Sequence, residues 1–172
     1  VETVISTGIA DLFPFFKRTL VNFAVKYVKK MITPFSVPHL VRFRDALSQG
    51  HSSGFRPVPL KNTDVALLQY TGGTTGVAKG AMLTHRNVLA NVEQTGTWIS
   101  QTFVIGKETA LTVLPLYHIF SFTATLCFLK RAARQVLIAD PRDINHVIDE
   151  FEKWKPSAFP AVNSLFNALT NS

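Results

Sequence analysis

The sequence predicts an α/β layer fold, a layered sheet with flanking helices, on three observations. From Leu60 onward, apolar runs of strand length alternate with segments of helical periodicity. A glycine and threonine stretch follows directly on one apolar run, and a later helical segment opens on an N-cap residue, Asp143.

The elements follow in order. Val4-Ile5-Ser6 is a short β-like piece, and Asp11 to Met31 reads as helical apart from Pro14. In that helix Arg18, Asn22, Lys26, Lys29 and Lys30 fall near one side, while Leu20, Val21, Phe23, Ala24, Val25, Tyr27 and Val28 fill the rest. Two readings fit such a basic amphipathic helix: docking on an anionic membrane surface or a partner, or a core-packed helix with a solvated basic stripe. The second is the commoner in ordinary domains. From Thr33 to Pro59 four prolines bracket a short helix around Val41-Leu47 and the loose stretch Ser48-Gly54, which reads as a surface connection. Residues 1–60 therefore form a front region and residues 61–172 an α/β region, without a complete second domain.

After Leu60 the expected series is strand Val65-Tyr70, Gly-rich loop, strand Ala81-Leu83, helix His85-Thr97 and strand Thr109-Leu114. Helix Ile119-Lys130, strand Gln135-Ile138, helix Asp143-Lys155, strand Ser157-Phe159 and helix Val162-Leu169 complete it. Val65-Tyr70 is apolar at nearly every position, which predicts a central strand with both faces covered.

Composition narrows the function classes. A hydrophobic content of 47% in 172 residues suffices for a packed core and argues against disorder. The single cysteine, Cys127, lies in an apolar run and reads as a small packed side chain in a reducing compartment. The formal net charge is +7, and +5 of it falls before Pro57, where eight Lys and Arg face three Asp and Glu. Zinc spacing, basic heptads and the aromatic signature of single-strand-binding folds are all missing, so nucleic acid is not an expected partner. Thr109-Leu129 approaches the ~20 residues that cross a bilayer, but Pro115, His118 and several hydroxyls interrupt it. The chain begins at Val1 and ends at Asn171-Ser172 without a stop-like feature, and reads as cut from a longer protein. Gly50-His51-Ser52-Ser53-Gly54 has the spacing of a serine-hydrolase elbow, but no buried strand precedes it and Phe55-Arg56-Pro57 follows.

The segment that carries chemistry is Tyr70 to Gly80. Gly72, Gly73 and Gly76 permit positive φ, so that backbone N–H groups can turn inward around an anion. Thr71, Thr74 and Thr75 add hydroxyl donors, and Lys79 adds one mobile cation. Together they describe a phosphate clamp. The alternative is a ligand-free Gly/Thr hairpin, for which three threonines and a lysine in eleven residues are an odd choice. Ala78 before Lys79 and Gly80 after it exclude the G-x-x-x-x-G-K-S/T pattern, and the glycine spacing excludes the dinucleotide fingerprint.

The loop resembles the signature of the adenylate-forming superfamily, which includes acyl-CoA synthetases, luciferases and peptide-synthetase adenylation domains. Gln69 to Asn91, reading QYTGGTTGVAKGAMLTHRNVLAN, is similar to bacterial long-chain fatty-acid–CoA ligases. LPLYHIF at Leu114-Phe120, PRDI at Pro141-Ile144 and the front helix VNFAVKYVKK resemble them too. The resemblance covers nearly the whole chain. It implies part of the large N-terminal domain of an adenylate-forming enzyme, using ATP with Mg²⁺ and CoA as co-substrate to convert a fatty acid to acyl-CoA through an acyl-adenylate. Thr71, Gly72, Gly73, Thr74, Thr75 and Gly76 would embrace the β- and γ-phosphates, with Lys79 assisting. His118 would lie beside the substrate carboxylate and the α-phosphate; the alternative is a histidine held at a strand end by backbone bonds. Phe122 lines up with the aromatic gate of a fatty-acid tunnel, or is a core aromatic.

The resemblance further implies work at the inner face of a bacterial cytoplasmic membrane, with peripheral contact through the basic helix around Arg18-Lys30. The family's metal, ribose and thioester residues have no counterpart in these 172 positions, so no metal ligand is assigned and the isolated piece is expected to be inactive. Relatives place a Gly pair where this chain has Lys130-Arg131-Ala132-Ala133-Arg134, which predicts a longer helix or a strained turn.

Overall fold

A computed structural model of the chain describes residues 3–71 and 79–171, with the backbone alone at Thr71. The chain divides into two compact units, Val1–Pro59 and Leu60–Ser172.

In the front unit β1 (Val4–Ser6) pairs in parallel with β2 (Leu40–Arg42), Val4 opposite Leu40. The first helix, α1 (Phe15–Phe23), starts later than Asp11 because Gly8–Phe13 is a turn organised by the Asp11 carboxylate. That carboxylate accepts the Gly8 N–H at 2.7 Å and the Asn22 amide at 3.2 Å, and the Gly8 bond leads in holding Asp11 below the usual carboxylate range. Pro14 occupies the cap position, where its missing N–H costs nothing. The helix continues in π geometry over Ala24–Val28, closed by the Lys29 N–H on the Ala24 carbonyl at 2.8 Å.

Contrary to the expected loose connection, β2 runs straight into an eleven-residue helix, α2 (Phe43–Ser53). Ser52 and Ser53 turn their hydroxyls back onto the Ser48 and Gln49 carbonyls, so neither is presented on a strand-to-helix elbow. Gly54, at φ 70°, ends the helix.

The second unit is α/β, but its sheet comes in small pieces. Together with the front pair, the described residues form three two-stranded sheets. β3 (Val65–Thr71) pairs antiparallel with β4 (Lys79–Thr84), which leads into α3 (His85–Ile99). β5 (Thr109–Thr112), α4 (Ile119–Lys130) and β6 (Arg134–Leu137) form a parallel βαβ unit, followed by α5 (Ile144–Trp154) and α6 (Asn163–Thr170). Asp143 caps α5 as expected, accepting the His146 N–H at 3.1 Å.

The expected strand at Ser157-Phe159 is reduced to one parallel bridge, Ala158 beside Ala110, with the Leu111 N–H on the Ala158 carbonyl at 2.9 Å. Pro156 and Pro160 flank it, so little backbone remains to extend the ladder.

The expectation for Val65-Tyr70 is not met. Among the described residues β3 pairs only with β4, and Val65, Leu68 and Tyr70 are exposed. The strand covered on both faces is β5. Leu111 packs with Val113, Ile138, Val147 and Leu165 on one side, and Ala110 with Phe128 and Ala133 on the other. Phe151 and Phe159 extend the first cluster, ring on edge at 4.6 Å. Cys127 is buried, and burial pushes its thiol up.

The basic substitution of the Gly pair has a structural role. The Arg131 guanidinium donates to the Gly96 and Phe103 carbonyls, and Lys130 pairs with Glu93, tying α4 to α3. The turn beyond is strained rather than the helix lengthened. Ala133 N–H reaches the Phe128 carbonyl and Ala132 N–H the Leu129 carbonyl, with Ala132 at φ 52° where glycine normally sits. Ala132→Gly is expected to raise stability by about 0.5 to 1 kcal/mol, relieving the left-handed penalty at some cost in unfolded-state entropy. Urea unfolding measures it, and an unchanged or lower midpoint would contradict it.

Candidate functional site

The β3–β4 pair frames the Gly/Thr stretch. Tyr70 stands opposite Gly80 and Thr71 opposite Lys79, so residues 72–78 join two strand ends already held in register. The exposed Tyr70 ring lies over Gly80 across the pair, where a Cβ would meet it at 3.4 Å, an ordinary contact distance. Lys79 is exposed. Gly72, Gly73, Thr74, Thr75 and Gly76 lie outside the described residues.

The far end of the hairpin is fixed by a capping box. Thr84 Oγ1 accepts the Asn87 N–H at 3.3 Å, and Asn87 Oδ1 accepts the Thr84 N–H at 3.0 Å. His85 N–H donates to the Asp64 carbonyl at 3.0 Å, which ties the start of α3 to the start of β3.

The histidine segment is equally determined by local bonds. His118 is the N-cap of α4, its own N–H on the Pro115 carbonyl at 3.0 Å and its Nδ1 accepting from Phe120 N–H at 3.3 Å. Buried Ser121 donates to the Leu114 carbonyl at 2.9 Å and locks the first helical turn to the chain leaving β5. The ring itself is exposed. With Nδ1 an acceptor, the hydrogen-bond pattern assigns the proton of the neutral ring to Nε2, the nitrogen able to donate to an anion.

An apolar groove of about 580 Å³ lies between these parts. β3 supplies Ala66, Leu67, Leu68 and Gln69, α3 supplies His85, Val88 and Leu89, and Leu116, Tyr117, Phe122 and Leu126 close it. Phe122 is half-buried on the groove wall and belongs to neither buried cluster. The structure thus sets Phe122 and Tyr117, the neighbour of His118, around one space with the strand that enters the Gly/Thr stretch. Among the described residues no group of three His, Cys, Asp or Glu side chains could hold a metal ion.

Sequence reasoning passed over His85 and Gln69, the polar groups on this wall. Their signal was weak: Gln69 is one polar residue in an apolar strand, and His85 follows the cap of an ordinary helix.

Residues 6–172 match the AMP-binding enzyme family. The chain is 47% identical over 176 residues to the long-chain-fatty-acid–CoA ligase of Haemophilus influenzae, covering 100% of this chain and 31% of that protein. Against the Escherichia coli O157:H7 ligase of the same description it is 46% identical over 173 residues, with the same coverage. The chain therefore spans 31% of the length of these curated relatives. Among solved structures, a long-chain-fatty-acid-CoA ligase from Archaeoglobus fulgidus superposes with a TM-score of 0.68 at 25% identity, covering 99% of this chain and 32% of that one. An inhibitor-bound N-terminal domain from Mycobacterium tuberculosis superposes at 0.69 and 20% identity, covering 99% and 40%, and supports the fold. With nearly its whole length matched, the chain belongs to the AMP-binding enzyme family.

Proposed function

We propose that this chain is part of a ligase that activates long-chain fatty acids with ATP. The carboxylate oxygen attacks the α-phosphorus, the bond to the β-phosphate breaks, and pyrophosphate leaves. The CoA thiol then attacks the acyl carbon of the adenylate and AMP leaves, giving the thioester.

Two anions must be brought into line, so the task is positioning and charge neutralisation rather than supply of a protein nucleophile. Thr71 to Gly76 and Lys79 are assigned to the β- and γ-phosphates, and His118 Nε2–H to the carboxylate and α-phosphate. Phe122 is assigned to the acyl chain. Magnesium would enter as the nucleotide's companion, neutralising phosphate charge. The enzyme is placed in the cytoplasm at the inner membrane face, where its acid arrives, with peripheral contact through the basic helix around Arg18-Lys30.

One observation carries this reading: the strand whose residues 66–69 wall an apolar groove runs directly into the Gly/Thr stretch, with Lys79 paired opposite its last residue. An apolar space and a phosphate clamp on one strand suit a substrate with an apolar tail and an anionic head.

Pyrophosphate exchange by the full-length parent, measured across acids of increasing chain length, tests it. The expected result is a kcat/KM that rises with length by roughly tenfold for every two methylenes buried, at ~0.8 kcal/mol each. A preference for short or aryl acids would remove the long-chain assignment and keep only adenylation.

A further inference from the structure

β5 ends at Thr112 and α4 is capped by His118, and the residues between them belong to neither strand nor helix. Their backbone groups must therefore find partners outside any ladder. Two bonds close this crossing. The His118 N–H reaches the Pro115 carbonyl at 3.0 Å, and the Ser121 hydroxyl reaches the Leu114 carbonyl at 2.9 Å.

The second bond is the unusual one. A helical Ser or Thr hydroxyl ordinarily bonds a carbonyl three or four residues earlier, as Thr123 does to Ile119 at 2.9 Å. Ser121 instead spans seven residues, out of its own helix and past His118, to the chain leaving β5. It is 1% exposed, so water does not compete for its hydroxyl, and a buried hydroxyl is costly unless bonded in this way.

The imidazole depends on that frame. Its own tether, Nδ1 accepting the Phe120 N–H at 3.3 Å, lies past the usual hydrogen-bond range and holds the ring loosely by itself. The direction of Nε2 is then set by the backbone at residue 118, which the Ser121 bond holds between the strand exit and the first turn of α4. Productive geometry tolerates about 0.5 Å, and a misplacement of ~1 Å costs about 10²-fold in rate.

We propose that Ser121 is a positioning residue for His118: its hydroxyl closes the loop from Leu114 to Ser121 and so aims Nε2–H at the carboxylate and α-phosphate. This rests on the role given to His118 in the proposed function. Being buried, Ser121 acts through the loop and not on the substrate.

The test is a double-mutant cycle in the full-length parent, read by pyrophosphate exchange with a long-chain acid. Ser121→Ala is expected to lower kcat roughly tenfold and to leave KM for ATP within about twofold, because the residues assigned to the triphosphate lie in a separate segment. In a His118→Ala background the same substitution is expected to change kcat by less than about twofold, since no ring is left to aim. An equal loss in both backgrounds overturns the proposal, as does a wild-type kcat in Ser121→Ala or a loss confined to KM. Failure of the underlying reading looks different: His118→Ala then turns over like the wild type, which leaves Ser121 nothing to position. If Ser121→Ala does not fold, Ser121→Cys carries the same cycle, its weaker donor giving an expected loss of about threefold that again vanishes without His118.

Discussion

Replacing Thr74, Thr75 and Lys79 together by alanine in the full-length parent should lower kcat/KM for acyl-adenylate formation by at least ~10³-fold, since a single preorganised donor to developing charge is worth about 10²–10³. The three losses will not add, because the groups serve one triphosphate. Lys79 stands at the first position of β4, opposite Thr71, so its ammonium is anchored by a strand pair while its long stem remains adjustable. The β3–β4 ladder uses backbone bonds, which the substitutions leave in place, so the variant should remain folded. Pyrophosphate exchange measures the effect. Unchanged turnover with a folded protein would end the phosphate-clamp assignment.

Leu111→Ala should destabilise the 172-residue chain by about 3 kcal/mol, the usual cost of a large-to-small change in a closed core. Leu111 is fully buried on β5, among Val113, Ile138, Val147 of α5 and Leu165 of α6. Leu68→Ala on β3 makes the contrast. Leu68 is 54% exposed, so less than ~1 kcal/mol should be lost. Urea unfolding of both variants gives the comparison, and equal losses would mean that β3 is as covered as β5.

That contrast marks how far local pattern reaches. The helix Ile119-Lys130 and the Asp143 cap were legible because caps and helical periodicity are set by residues a few positions apart. Of two apolar runs of similar length, Val65-Tyr70 and Thr109-Leu114, the sequence favoured the first as the central strand. Pairing separated them, because α4 returns β6 alongside β5 and Ala158 closes its other edge, while β3 finds β4 alone among the described residues. The π turn at Ala24–Val28 and the helical Ser52 also escaped the sequence, since both depend on which carbonyl a nearby N–H or hydroxyl selects.

The candidate site divides in the same way. Glycine, threonine and lysine spacing named a phosphate clamp without any contact being visible, because that chemistry resides in one continuous segment. Phe122 reads from the sequence more readily as a core aromatic than as a tunnel gate, and the fold lines it along one groove with Leu68 and Val88, which lie 54 and 34 positions earlier.

The sequence by itself determined the order of elements and the capping signals, and it nominated the phosphate-loop residues, because each is encoded within a turn or a strand length. Tertiary structure alone decided which strand is buried on both faces and that Arg131 ties α4 to α3. Those outcomes depend on partners far along the chain, and burial is a property of the pair rather than of either residue.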